Sequence, residues 1–373
     1  MKVLMAAGGT GGHIFPAISV AEELCRRRDD VEVIFVGSER RLEGRLVPDA
    51  GFRFIPVAAA GFPRRVTLRW FPALGALARG MVQVTGVLRR ERPRVVFGTG
   101  GYVSGPVLAI AAASRIPTIV HESNVVAGLT NRWLGPLVRE VHVGFEQAVG
   151  AFPAYKVRVS GIPVRRAILD AARERAAAPG SPRTLLVVGG SQGARRINSA
   201  VIEALGVLAD MPLRIVHQTG ELDLDRVRQA YADAAPQPRV PSGPGSNAAV
   251  LRETGRYLAE PFFKDMGVLY SQADVIVCRA GAITIAEIAA CRLPAVLVPL
   301  PHREQQANAR MAADVGAALV VDDAALDGRR LVETLRPLLD DPSRLRAMSL
   351  AWERVAQSNA AETLADAIEQ YLG

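Results

Sequence analysis

The sequence predicts an α/β protein built from two Rossmann-like domains whose ligand-bearing turns face a central cleft. Three observations predict this. Short apolar runs alternate with helical stretches along most of the 373 residues, the pattern of a doubly wound, mainly parallel sheet. The alternation restarts after Arg166, and a chain this long exceeds one comfortable hydrophobic core. Glycine-rich turns follow the first strand of each half, at the strand ends where open α/β sheets bind ligands.

In the first half the apolar runs predict strands over 2–6, 31–36, 53–57, 94–98, 117–121, 140–143 and 157–161. The first is followed by Gly8-Gly9-Thr10-Gly11-Gly12-His13 and a helical pattern reaching Arg27. Glycines there let the backbone turn sharply and approach a ligand. Free amides at the next helix start favour anionic oxygens. In the second half strands are expected over 184–188, 213–218, 257–259, 275–278, 295–299 and 318–321. Residues 170–184 read as linker-like surface, and 236–247, dense in Pro, Gly and Ser, as an exposed loop. Domains are therefore expected at 1–162 and 163–342, with a helical pattern over 343–373 packing back toward the first domain.

Composition narrows the function classes. Apolar residues make up 49% and charged residues 22%, as in a soluble globular protein. The net charge is +8, nearly all from arginine, since lysine occurs only at Lys2, Lys156 and Lys264. Such a balance suits anionic partners such as nucleotides or acidic lipid surfaces. No nucleic-acid-binding module accompanies it, so nucleic acid is not expected as a partner. Cys25, Cys278 and Cys291 form neither a CxxC pair nor a zinc spacing and fit a reducing compartment. A strand beginning at Lys2 leaves no signal peptide in view. No run reaches the roughly 18 apolar residues that would cross a bilayer, so any membrane association is expected to be peripheral.

The turns carry the chemistry. After the predicted strands come Gly98-Thr99-Gly100-Gly101-Tyr102-Val103-Ser104-Gly105-Pro106, His121-Glu122-Ser123-Asn124 with Ala127-Gly128-Leu129-Thr130-Asn131, Gly189-Gly190-Ser191-Gln192-Gly193-Ala194, and Cys278-Arg279-Ala280-Gly281-Ala282-Ile283-Thr284-Ile285-Ala286-Glu287. With Gln305-Gln306 these form an ordered set along nearly the whole chain. In that order the chain resembles the MurG-type N-acetylglucosaminyltransferases of peptidoglycan synthesis, glycosyltransferase family 28, which have the two-domain GT-B glycosyltransferase fold.

The resemblance implies transfer of N-acetylglucosamine from UDP-GlcNAc to the C4 hydroxyl of the muramoyl sugar of lipid I, with inversion, giving lipid II. It implies no cofactor and no metal, an anionic membrane surface and other cell-wall enzymes as partners, and a peripheral position on the cytoplasmic face of the cell membrane. It puts most of the donor site on the C-terminal domain, with the first glycine-rich loop on the opposite wall of the cleft.

Each matching residue also has an ordinary structural reading. Ser191, Gln192 and Gly193 match the diphosphate turn, though a serine N-cap with turn glycines has the same pattern. Arg165 matches a diphosphate-contacting cation; a solvated arginine would look alike. Ala282, Ile283 and Thr284 match backbone lining the nucleoside pocket, and Glu287 matches the ribose-binding carboxylate. The Thr284–Glu287 spacing is equally that of a capping box. Phe263 matches a uracil contact through its backbone, or is core packing. Gln305 and Gln306 match the donor-sugar region, where amides read hydroxyls in both directions. Thr10, Gly11 and Gly12 match the family's first loop, and Asn124 a donor- or acceptor-facing position of the N-terminal domain; all four are assigned to donor binding. His13, in its glycine turn, is the first candidate for general base, since a pKa near neutrality suits that step. Tyr102 and Glu122 are secondary catalytic candidates or orient the acceptor. Ser123 stands where many relatives carry glutamine, and 236–256 is longer than the usual connection.

A membrane-facing candidate spans 61–94. There Trp70, Phe71, Leu74, Leu77, Met81, Val82, Val84, Val87 and Leu88 are bordered by arginines; an amphipathic helix on its own core is the plain alternative. Three other functions remain open: a UDP-GlcNAc 2-epimerase of the same fold, an NAD-dependent dehydrogenase, and a non-catalytic nucleotide-sugar-binding membrane scaffold. The first loop lacks G-x-G-x-x-G spacing, which weighs against the dehydrogenase.

Overall fold

The computed structural model describes residues 1–38, 42–58, 70–173, 183–190, 193–234 and 255–373. It divides into two compact units, one formed by Met1–Arg165 with Gln357–Gly373 and the other by Arg166–Ala356.

The first unit carries a seven-stranded, wholly parallel sheet in the order β3-β2-β1-β4-β5-β6-β7. Its strands are β1 (Lys2–Ala6), β2 (Glu32–Gly37), β3 (Arg53–Pro56), β4 (Val95–Gly98), β5 (Thr118–Glu122), β6 (Glu140–Val143) and β7 (Val157–Val159). Strands covered on both faces need apolar residues at every position, which explains the continuous runs. Along β1 the side chains alternate between two cores. Val3 and Met5 join Phe35, Phe97 and the helix Gly11–Arg27, whereas Leu4 and Ala6 join Ile34, Val36, Val96 and Leu108. Each fully buried Leu, Ile, Val, Met or Phe contributes about 1.5–3 kcal/mol. The chain order reverses between β1 and β4, where Ala6 pairs with Gly98. The turns after these two strands therefore flank the switch point, the usual ligand crevice of such a sheet.

The second unit repeats the plan with six parallel strands in the order β10-β9-β8-β11-β12-β13. These are β8 (Arg183–Val188), β9 (Leu213–Gln218), β10 (Tyr257–Glu260), β11 (Val275–Cys278), β12 (Ala295–Leu297) and β13 (Ala318–Val320). Its switch point lies between β8 and β11.

The C-terminal stretch is not one helix. Pro342–Ala351 and the short turn Trp352–Arg354 belong to the second unit, and Ala360–Glu369 to the first. Trp352, fully buried, donates its indole N–H to the carbonyl of Leu293 at 2.8 Å, pinning the first part. Ser358 and Asn359, whose side chains compete for backbone hydrogen bonds and favour turns, occupy the break with Gln357. Beyond it Leu364, Ile368 and Leu372 enter the core beside Leu24, and the Tyr371 hydroxyl donates to Glu140 of β6.

The helix Trp70–Glu91 covers part of the sheet. Val84, Val87 and Leu88 face inward and are buried, so this portion of the expected membrane stripe is core, held there by burial on the sheet. Met81 and Val82 remain exposed. Residues 61–69 of that stripe lie outside the described residues.

Candidate functional site

In the first unit the turns after β1, β4 and β5 interlock. Thr10, with extended backbone, is the N-cap of the helix Gly11–Arg27, so Gly11, Gly12 and His13 form its first turn. The His13 ring donates from Nδ1 to the backbone carbonyl of Thr99 at 2.8 Å, and the Thr99 hydroxyl donates to the His13 carbonyl at 2.7 Å. A carbonyl can only accept, so Nδ1 carries the proton and Nε2 carries the lone pair. Burial lowers the His13 pKa; the nearby charges of Glu122 and Glu43 and the hydrogen bond to Thr99 act the other way.

Gly101, with φ of +82°, makes this close approach possible. A Cβ there would lie 2.6 Å from the carbonyl oxygen of Gly8 and 3.3 Å from the His13 ring. Tyr102 follows in the helix Gly101–Ala113, with its ring over Gly9, where a Cβ would lie 3.2 Å away.

Glu122 is buried at the end of β5 and spends both oxygens on its own loop. Oε1 accepts from the backbone N–H and side-chain amide of Asn124, at 2.9 and 3.0 Å. Oε2 accepts from the N–H of Gly128 and the amide of Asn131, each at 2.9 Å. This geometry makes Glu122 the organiser of the Asn124 loop. Ser123 Oγ lies 3.3 Å from His121 Nδ1, and His121 Nε2 donates to the Gly161 carbonyl at 2.8 Å. Burial pushes His121 down to about 4, so the ring is neutral at physiological pH. Arg165 belongs to this unit, its guanidinium 4.7 Å from the centre of the Phe15 ring.

In the second unit the predicted donor residues gather at the carboxyl edge of the sheet. Ser191 and Gln192 lie outside the described residues. Gly193 has φ of +76°, and a Cβ there would lie 2.5 Å from the Thr219 carbonyl. Thr219 is fixed in turn through its N–H to the Glu260 carbonyl at 2.9 Å. Phe263 is buried, and its N–H donates to the Gln218 side chain at 3.1 Å. That bond engages its donor and leaves the carbonyl as the backbone group suited to a base N–H.

The helix Ala282–Ala290 has Gly281 as N-cap, so Ala282, Ile283 and Thr284 present the first-turn amides. Thr284 is inside this helix and is not its cap, so the Thr284–Glu287 spacing is not a capping box. Glu287 lies one turn further on, buried, and accepts from the Tyr270 hydroxyl at 3.1 Å. Gln305 accepts from the N–H of Leu300 at 3.0 Å; Gln306, beside it in the helix Arg303–Asp314, is exposed. Asn308, fully buried, donates to the Ala280 carbonyl at 3.3 Å and couples that helix to the turn before Ala282.

Comparison with known proteins decides the family. The glycosyltransferase family 28 N-terminal domain matches residues 3–143, and its C-terminal domain matches residues 184–370. The chain belongs to glycosyltransferase family 28. Among family 28 relatives, a Myxococcus xanthus protein is 41% identical over 377 residues, covering 98% of this chain and 92% of that protein. One from Desulforudis audaxviator is 38% identical, covering 100% and 99%. Both are named UDP-N-acetylglucosamine–N-acetylmuramyl-(pentapeptide) pyrophosphoryl-undecaprenol N-acetylglucosamine transferase. The crystal structure of Acinetobacter baumannii MurG matches with a TM-score of 0.75 at 31% identity, over 99% of both chains. A Neisseria meningitidis UDP-GlcNAc 2-epimerase bound to UDP-GlcNAc matches with a TM-score of 0.67 at 14% identity, over 99% of this chain and 100% of that one, a likeness of fold alone.

Sequence reasoning missed Thr99 as the partner of His13, Tyr270 as the partner of Glu287, and Glu43, which binds the first glycine turn. Each is distant in sequence from what it holds, and no local spacing signals it.

Proposed function

We infer that this chain transfers N-acetylglucosamine from UDP-GlcNAc to the C4 hydroxyl of the muramoyl sugar of lipid I, with inversion, to give lipid II. The observation that carries the chemistry is the His13–Thr99 hydrogen bond, which holds the imidazole in the tautomer with a basic Nε2. The acceptor oxygen attacks the anomeric carbon on the face opposite the UDP. As the new C–O bond forms, the hydroxyl proton passes to Nε2, the bond to the phosphate oxygen breaks, and its electron pair leaves with UDP.

The donor roles follow from the groups offered. First-turn amides of Ala282, Ile283 and Thr284 and the Gly193 turn suit anionic phosphate oxygens, with Ser191 and Gln192 assigned to the same turn and Arg165 as the cation. Glu287 accepts from the ribose hydroxyls, and the Phe263 carbonyl accepts from the uracil N–H. Gln305 and Gln306 read the sugar hydroxyls. Thr10, Gly11, Gly12 and Asn124 are assigned to donor-facing positions of the first unit; Tyr102 orients the acceptor, and Glu122 holds the loop of Asn124.

Peripheral attachment to an anionic bilayer is part of the same reading. Its support is the exposed Met81 and Val82, and Leu129, Trp133 and Leu137 beside exposed Arg132 and Arg139. Among the described residues no helix is long and apolar enough to cross a membrane.

The test is transfer of labelled sugar from UDP-GlcNAc to a lipid I analogue. His13→Ala is expected to lose turnover by about 10²–10⁴-fold while retaining UDP binding. Unchanged turnover removes His13 from the base role. Conversion of UDP-GlcNAc without acceptor would favour the epimerase.

A further inference from the structure

Glu43 opens the helix Glu43–Asp49, away from the motifs that mark the site in the sequence, and its side chain is fully buried. Its two oxygens are shared between two turns: Oε2 accepts from the N–H of Gly9 and Oε1 from the N–H of Ser38, each at 3.1 Å. Both oxygens accept from N–H donors, the pattern of an ionised carboxylate. Among the described residues it has no ion-pair partner. Burying an anion is costly, and the chain makes room for this one twice. A Cβ at Gly8 would lie 2.6 Å from Oε1, and one at Gly37 would lie 2.8 Å from Cγ. On its other side the Gly8 peptide meets Gly101, against which the His13 ring packs. The peptide of the first glycine turn is thus bracketed between the Glu43 carboxylate and the Gly101–His13 contact.

We propose that Glu43 is a positioning residue for the transfer reaction, clamping the Gly8–Gly9 turn that carries His13 and supplying a fixed negative charge that favours the imidazolium formed when His13 takes the acceptor proton. This rests on His13 as the base. The ionisable groups that act on His13 are Glu122 and His121 of β5 and Glu43 itself; the Tyr102 ring, on the neighbouring helix, lies against Gly9. Glu122 and Glu43 favour the charged ring, and neutral His121 does not repel it at working pH. A preorganised anion beside a developing cation needs no reorganisation during the step.

The experiment uses the full chain with Glu43→Gln and Glu43→Asp. The His13 ring is titrated by NMR, its signal assigned by loss in His13→Ala, and turnover is measured on a lipid I analogue. In Glu43→Gln the His13 midpoint is expected to fall by about half a unit, with kcat about tenfold lower and KM for UDP-GlcNAc within about twofold of the parent. Glu43→Asp, which keeps the charge, is expected to restore the midpoint. If Glu43→Gln does not fold, Gly8→Ala displaces the carboxylate sterically and is read by the same titration, with the same fall expected. A His13 midpoint unmoved in the folded variant overturns the proposal, as does a loss of turnover that follows thermal stability alone. Because the titration reads the Glu43–His13 coupling directly, it stands apart from the role of His13 as base, which fails separately if His13→Ala keeps full turnover.

Discussion

His13 and Thr99 lie 86 positions apart and exchange two hydrogen bonds, ring Nδ1 to carbonyl and hydroxyl to carbonyl. The first settles the tautomer, and the second fixes the helix turn that carries the ring. As the proposed base, His13 works only while its Nε2 is unprotonated. Burial lowers its pKa below the ordinary imidazole value of about 6.5, so the acidic limb of kcat/KM is expected to have its midpoint below that value, with activity lost as pH falls through it. A pH–rate profile with saturating acceptor and varied UDP-GlcNAc checks this; an acidic limb centred above 6.5 contradicts it.

Gly101 permits this pair to form. Gly101→Ala forces a side chain into a left-handed conformation and toward the Gly8 carbonyl, 2.6 Å away. Backbone strain of this kind costs about 1–3 kcal/mol, and relief of the clash would move the His13 ring or the glycine turn. The variant is expected to unfold at lower denaturant and to lose turnover by more than its stability loss explains. Normal turnover in folded Gly101→Ala would show that the turn tolerates displacement.

The fold was legible because buried parallel strands require uninterrupted apolar runs, and these lie between turn residues throughout the chain. The expected strand ends differ from the observed ones by a residue or two, as at β7, which stops at Val159. The glycine turns were legible because only glycine tolerates positive φ with backbone this close. Local spacing misled at Thr284, where the Ser/Thr-x-x-Glu pattern recurs inside a helix as an i, i+3 pair. It also misled beyond Ser343, where apolar periodicity runs through a break that the polar run at Gln357–Asn359 makes. Thr99, Glu43 and Tyr270 were not legible because each acts across the fold, and a lone Thr, Glu or Tyr carries no local signature of its partner.

Acid should weaken both units. His121 is pushed down to about 4 and His217 to about 3, each by burial. His217 is bonded to the Tyr231 hydroxyl at 2.9 Å and the Asn198 side chain at 3.0 Å. Both rings bind a proton less readily folded than unfolded. The unfolded chain therefore takes up more protons below about pH 6.5, and stability drains away from there down to pH 3–4. Glu91, held near 2 by hydrogen bonds from Lys2, Arg53 and Arg90, adds a second loss as pH falls from about 4.5 toward 2. Thermal unfolding is expected to be level between pH 7 and 8 and to move steadily lower from pH 6 to 4. A midpoint constant down to pH 5 would contradict the histidine contribution.

Tyr270 and Glu287 offer the sharpest test of the donor site. The tyrosine hydroxyl donates to the carboxylate at 3.1 Å, both side chains are buried, and they belong to different helices. If Glu287 binds the ribose as proposed, a carboxylate steadied by a hydroxyl keeps one orientation toward it; without that donor it must reorient before accepting from the sugar. Tyr270→Phe keeps the ring and its packing while removing the hydrogen bond, which is worth about 1 kcal/mol. UDP affinity is therefore expected to fall about fivefold, with KM for UDP-GlcNAc rising by a similar factor and kcat little changed, because the bond is made equally before and during transfer. Binding of 2′,3′-dideoxy-UDP, which offers no ribose hydroxyls at those positions, should be nearly the same in parent and variant. If Tyr270→Phe weakens that analogue as much as UDP, the hydroxyl supports the pocket in general and Glu287 does not read the ribose through it.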